Sequence, residues 1–482
     1  MKKWILLFGC ALLVLGSGVV YGQAKFSLQD IPEIKNKKAL NTIVETGQVW
    51  DKVMPYIDEF TKKTGVKVNV ERVASPVVYS KENVELMGGT GHYDVVYVET
   101  AWTVEWSPYL LKLYDLAKKW DPKGIEGLKK DLENHSPSIL ICGQAYGDQM
   151  VLPFYTYHMG MFIRQDVFDD PTEKANFKAK FGYDLKPATT DKELIDQGQF
   201  FTRKKGEMLK GKALGSDIYG LALQAGAYQI NDEISCRVWG RGSDYVTVMR
   251  DAKGKVKEFV ITKKNKEVLK EVFTDYKKQL QYASPGCLTA NFDFVVAQQG
   301  EGRAIIQATM FSNCFAWTAD ILKKNVPDGK LGIYPTVGGQ PYTGAWSVGV
   351  SKASKNPEAA YWLVRYLASF QCHEAVMKEG GQVSTRMDVL RDPAWQKPEN
   401  RYPFGLLSDY LVDSWQKQAK YVPNYWYFNT KAGGKVYEMQ MNVFHKPMAG
   451  EATIDQAVAE VTAKTMEMTS KFDKTVRIRE EK

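Results

Sequence analysis

The chain has 482 residues, 44 % of them hydrophobic, with 64 Lys and Arg against 56 Asp and Glu for a formal charge of +8. That length exceeds one compact core, since domains usually run to about 100–200 residues, so two domains are expected. Both signs of charge are interspersed with no Arg-rich cluster, which argues against nucleic-acid binding, and five scattered histidines with no HExxH or paired CxxC argue against a zinc site.

Residues 1–24 read as a secretory signal peptide. Lys2 and Lys3 precede an apolar run over 4–20, and small residues at Gly22 and Ala24 place cleavage after one or the other. Gly9, Gly16 and Gly18 interrupt the run, which barely spans a hydrocarbon core of about 30 Å. A water-soluble periplasmic product is expected, with a charge of +6 once Lys2 and Lys3 are lost. Its cysteines, Cys142, Cys236, Cys287, Cys314 and Cys372, are too widely spaced for a disulfide framework. An oxidising compartment permits up to two bridges, but they read more as buried apolar residues.

Thr42, Ile43 and Val44 read as a short buried strand, Glu45-Thr46-Gly47 as a turn, and 48–64 as an amphipathic helix ended by Gly65. Val66, Val68 and Val70 then alternate as a half-buried strand. A helix over 80–87 stops at Gly88-Gly89, and 94–98 is a third, apolar strand. Strands alternating with helices predict an α/β fold of mainly parallel sheets flanked by helices, with ligands at the carboxyl ends of strands. Glu45 and the segment Glu99-Thr100-Ala101-Trp102 hold those ends. Further on, 152–157 reads as a strand passing between lobes, 166–180 and 191–198 as helices, and 219–223 as a strand. The stretch 256–262 is β-like, 266–282 a long helix, and 331–334 and 346–350 are strands joined by a glycine-bearing loop.

Six stretches, in this order, resemble the extracellular solute-binding proteins of ABC importers, in the carbohydrate-binding group that includes maltodextrin binders. IDEFTKKTGVKVNVERV (57–73) holds F-x-x-x-T-G and an alternating strand. VELMGGTGHYDVVYVETAWTVEWSPYLLKLYDLAKKW (84–120) holds G-x-G-x-x-D-V-V. FDFVVAQQGEGRAIIQATM (292–310) is similar to the family's helix and strand of the F-x-x-G-x-A-A-M type. LGIYPTVGG and YTGAWSVGVSKASKNPEAAYWLVRYLAS (331–369) resemble its Gly-Trp block. GGQVSTRMDVL (380–390) and the stretch VPNYWYF…PMAGEATIDQAVAE (422–460) resemble its closing motifs. Ser384 stands where the family usually has proline, and the chain is longer around 206–215 and 388–421.

The resemblance implies a two-lobed periplasmic-binding-protein fold with a ligand cleft and a hinge. Lobe one would comprise 25–153 and 290–340; lobe two would comprise 156–286 and a largely helical 343–470. It also implies a monomer that delivers a small solute, most often a sugar, to permease subunits, with no cofactor and no catalysis.

A sugar presents an apolar CH face and a ring of hydroxyls, which aromatic platforms flanked by carboxylates and amides recognise. Trp346, in the glycine-tryptophan loop, is the leading platform. Trp102 follows the third strand and either faces the cleft or packs under the next helix. Glu45 and Gln48 either bond hydroxyls or cap the first helix. Glu99 ends the third strand, and alternation puts one of Tyr155 and Tyr157 on the cleft. Trp426 falls where the family supplies a second-lobe aromatic, and Trp239 and Trp317 are either cleft or core residues. Two alternatives stand beside a sugar binder. A polyol or quaternary ammonium solute would use similar groups. A glycoside hydrolase would need two carboxylates about 5–10 Å apart, and Glu45 and Glu99 match no recognisable catalytic motif.

Overall fold

The computed structural model describes residues 25–378, 382–418, 421–422 and 425–481. The expected leader, 1–24, lies outside them. Two main sheets are built from β1 (Leu40–Glu45), β2 (Val68–Val73), β3 (Val95–Glu99), β4 (Val151–Thr156), β5 (Met159–Arg164), β6 (Tyr219–Ala222), β7 (Ala304–Phe311), β8 (Leu331–Tyr334) and β9 (Ala345–Val350). The first sheet has the order β2-β1-β3-β9-β4 and the second β6-β7-β5-β8. Each sheet sits in its own apolar core, so the molecule has two lobes.

The local chemistry explains the elements. β3, β4 and β9 are apolar and buried along their whole length, as strands covered on both faces must be. β2, at the edge, is only partly buried. The helix α1 (Gln48–Thr64) ends as expected at Gly65, whose φ of +70° closes the last turn with a bond from its N–H to the Thr61 carbonyl. The second helix, α2 (Ser75–Gly88), starts earlier than its apolar pattern suggests. A short α3 (Thr103–Trp106) follows β3, and α4 (Ile230–Gly240), α5 (Lys263–Gln279), α6 (Phe292–Gly300), α7 (Phe315–Asn325) and α8 (Gly433–Ala449) belong to the second lobe.

Three expectations are corrected. Both sheets are mixed rather than mainly parallel: β1 pairs in parallel with β2 and β3, but β9 runs antiparallel to β3 and β4, and β5 runs antiparallel to β7 and β8. The late strands also exchange sheets. β7 and β8, expected in lobe one within 290–340, pair with β5 and β6 in the second lobe, whereas β9, expected in lobe two within 343–470, completes the first sheet. An apolar run announces a strand without naming its partner, and that is why sequence placed both on the wrong side. The helix expected over 166–180 is broken: Gln165–Phe168 ends, and Asp170 caps a new helix, Pro171–Phe181, by accepting from the Thr172 and Glu173 amides. The five cysteines among the described residues are buried free thiols.

The chain crosses between lobes beside Thr156. Its N–H donates to the Val383 carbonyl at 3.0 Å, and its hydroxyl donates to the Gly344 carbonyl at 2.6 Å and accepts from the His158 N–H at 3.1 Å. One residue thus ties together the crossings that lead into β5, into β9 and away from 383.

Candidate functional site

Between the lobes lies a cavity of about 250 Å³. The first lobe contributes the carboxyl ends of three strands, Glu45 closing β1, Glu99 closing β3 with Trp102 after it, and Tyr155 and Tyr157 at the end of β4, together with Trp346 at the start of the antiparallel β9. The second lobe contributes Gln229 and Asp232 at the start of α4, Phe292, Phe311 and Asn313, and Tyr437, Glu438 and Met441 from α8. A larger concavity of about 550 Å³ lies within the first lobe, between Lys25, Asp121, Asp131, Trp362 and Arg365. There Arg365 already pairs with both aspartates, so its charges are satisfied by the fold, whereas the cleft between lobes is the one that strand topology favours.

Trp346 is 9 % exposed and stacks flat on Tyr97, with centroids 4.3 Å apart and planes 2° from parallel; Trp102 meets it edge-on at 5.4 Å. Tyr79 and Trp106 extend this aromatic wall behind Trp102. The tyrosine hydroxyls hold the carboxylates. Glu45 accepts from Tyr97 at 3.1 Å and from Tyr155. Glu99 accepts from Tyr157, from Tyr342 at 3.0 Å and from the Ala101 N–H at 2.6 Å. Asp232 accepts from Tyr437 at 2.6 Å. Burial raises the Glu99 pKa despite these bonds; it pushes Asp232 up to about 8, with help from Glu99, Glu233 and Glu438, and Glu438 to about 7, with help from Glu99 and Glu105.

The close approach of the lobes depends on glycine. A Cβ on Gly344 would fall on the Tyr157 ring, and one on Gly434 would lie 2.9 Å from Cδ1 of Trp102. Lys435, next on α8, reaches across to form an ion pair with the buried Glu105 and donates to the Tyr79 hydroxyl at 3.2 Å.

Of the residues expected at the site, Glu45, Glu99, Trp102, Tyr155, Tyr157 and Trp346 border the cavity together. Both tyrosines do so, rather than one, because residues two apart in an extended segment share a face. Gln48 opens α1, and its side chain lies outside the described ones. Three expectations are corrected. Trp239 is buried and stacks on Tyr425 at 4.3 Å, where its Nε1 donates to Asp244, away from the cavity lining. Trp426 is fully buried against Phe259 in the second core. Trp317 is 42 % exposed on the outer face of α7. Sequence reasoning missed Asp232, Tyr437 and Glu438. The first had a weak signal, a carboxylate in the opening turn of a helix after Gly226; the others sit within a long helix, where nothing local sets them apart.

The family model for bacterial extracellular solute-binding proteins matches residues 47–369. A comparison with curated proteins returns no match. Among solved structures, an ABC transporter solute-binding protein from Agrobacterium radiobacter K84 in complex with ribitol is 20 % identical, covering 91 % of this chain and 100 % of that one at a TM-score of 0.68. A solute-binding protein from Agrobacterium vitis S4 with bound D-mannitol is 18 % identical, covering 90 % and 99 % at 0.65. The maltose-bound MalE3 of T. maritima is 16 % identical, covering 89 % and 98 % at 0.64. At these identities the structures establish the shared fold, and the family match spans most of the sequence. The chain belongs to the bacterial extracellular solute-binding proteins.

Proposed function

We propose that this protein is the extracytoplasmic receptor of an ABC importer, and that it captures a small hydroxylated solute, a sugar or polyol, by closing its lobes and hands it to membrane permease subunits. The observation that carries this reading is Trp346. Its indole borders the cavity, is backed by Tyr97, and is flanked by Glu45 and Glu99, the arrangement that a CH face rimmed by hydroxyls requires. The volume narrows the class. About 250 Å³ falls below the roughly 300–1,000 Å³ of sites for drug-sized ligands, which suits a single ring or a short polyol better than an oligosaccharide. The solutes named for the Agrobacterium structures, ribitol and D-mannitol, are of that size class and support the reading.

Glu45 and Glu99 act here as hydrogen-bond acceptors held by tyrosines, and binding followed by release leaves the solute chemically unchanged. The expected leader and the family's extracellular character support a periplasmic location. Among the described residues no helix is long and apolar enough to cross a membrane. Closure draws its energy from contacts that both lobes make with one solute, which biases the open–closed equilibrium. Isothermal calorimetry against monosaccharides, polyols, oligosaccharides and betaine tests the proposal. Sub-millimolar binding of a monosaccharide or polyol is expected. Binding of betaine with failure of every sugar and polyol would overturn it.

A further inference from the structure

We infer that the solute carries a protonated primary amine beside its hydroxyls, an amino-substituted sugar or polyol; this rests on the solute-binding reading above and refines it. Four carboxylates, Glu45, Glu99, Asp232 and Glu438, border the cavity, and no Lys or Arg does so among the described residues. Glu99 and Asp232 take their hydrogen bonds from neutral groups, chiefly tyrosine hydroxyls. Asp232, only 3 % exposed, uses one oxygen on Tyr437, while its Oδ2 has no partner among the described residues; neither does the side chain of Glu438. The indole N–H of Trp102 is also buried at the cavity wall without an acceptor.

The same wall shows what satisfies such groups. Glu105, behind Trp102, is paired by the ammonium of Lys435, which also bonds Tyr79 and lies 5.9 Å from that ring's centre. A neutral solute would leave Glu99, Asp232 and Glu438 with no counter-charge among the described residues, so that ionising them there is expensive. An ammonium supplies that charge, and its N–H groups can donate to carboxylate and phenol oxygens and lie over an indole face. A quaternary ammonium has no such donors, so a primary amine fits the acceptors better.

Titration supports the geometry. Burial raises Glu99, Asp232 and Glu438, and repulsion adds to it at Asp232, from Glu99, Glu233 and Glu438, and at Glu438, from Glu99 and Glu105; Glu233, Glu105 and Tyr437 face them from α4, α3 and α8, and Lys435 is committed to Glu105. Asp232, with its pKa raised to about 8, therefore already holds much of its proton near neutral pH; closing over a neutral solute leaves that proton in place, and closing over an ammonium displaces it.

The test is calorimetry on the purified protein with matched pairs spanning hexoses and hexitols, such as glucosamine with glucose and glucamine with sorbitol, in two buffers of different ionisation enthalpy. At pH 7.5 the amine of at least one pair is expected to bind at least tenfold more tightly and to release protons relative to its neutral partner, which binds with little change in protonation. D232N and E438Q are each expected to reduce that preference to below about threefold. Should either variant fail to fold, the buffer comparison on the unmodified protein still decides. Neutral members that bind as tightly as their amines, or amine binding with no more proton release than its neutral partner shows, would overturn the amine and leave the sugar or polyol reading intact. Failure of every member of every pair would overturn both.

Discussion

The indole of Trp346 lies against the ring of Tyr97 with the two planes 2° from parallel. Tyr97 is itself buried and its hydroxyl donates to Glu45, so a single unit fixes both a flat apolar surface and the acceptor beside it. Trp346→Ala removes the surface and frees Tyr97 to move. Loss of a central buried aromatic typically costs about 2 kcal/mol or more, some thirtyfold in Kd. Calorimetry with the best-bound solute checks this, and Trp346→Phe is expected to recover part of the loss.

Gly344→Ala tests how the hinge side of the cleft is shaped. The added methyl would occupy the Tyr157 ring and drive it off Glu99. Overpacking of this kind costs about 1–3 kcal/mol. A fall in Tm of several degrees together with weaker solute binding is expected, and scanning calorimetry with a binding titration reads both. A variant with unchanged Tm and affinity would show that Tyr157 yields freely.

The pair Lys435 and Glu105 joins the lobes. Glu105 is buried, so Lys435→Met strands a carboxylate, a loss of about 3–5 kcal/mol for a fully buried pair and less here, where the lysine is 21 % exposed on its side chain. Solute affinity is expected to drop at least tenfold as closure weakens. The double variant Glu105→Gln, Lys435→Met is expected to bind more tightly than the lysine variant alone, because the stranded charge is gone.

The solute-free protein should lose stability as pH rises above 7. Asp232 and Glu438 have folded pKa values of about 8 and 7, above their unfolded values, so their contribution is full at low pH and is lost as pH climbs through those values. His158 and His373, held neutral by burial with pKa values near 3, act in the opposite sense, but only below about pH 6.5. Between pH 7 and 9 a fall in Tm is therefore expected, and Asp232→Asn should flatten it. A Tm constant over that range in the parent would sink the prediction.

Much of the first lobe's contribution was legible in the sequence. Glu45, Glu99 and Trp102 follow apolar strands flanked by helices, and the topology of such sheets places strand ends at a crevice. Trp346 was found through its glycine-flanked context. The second lobe's contribution was hidden because it comes from helices. Tyr437 and Glu438 reach the cavity only because Gly433 and Gly434 let α8 approach Trp102, a relation between segments more than 300 residues apart. Trp239, Trp317 and Trp426 show the converse: residue type selected the first two and a family position the third, and packing put two in a core and one in solvent. The lobe assignment failed for a related reason, since β5 is followed by strands of its own sheet before the chain returns as β9.

That return has a consequence for how the molecule is made. β9 is the strand between β3 and β4, so both present bare edges until residues 345–350 have been synthesised. No contiguous early fragment of the chain contains a complete first sheet, and the pairing that closes it is among the most distant in sequence. Such non-local closure is slow. The nascent chain therefore stays without its first-lobe fold through most of its synthesis.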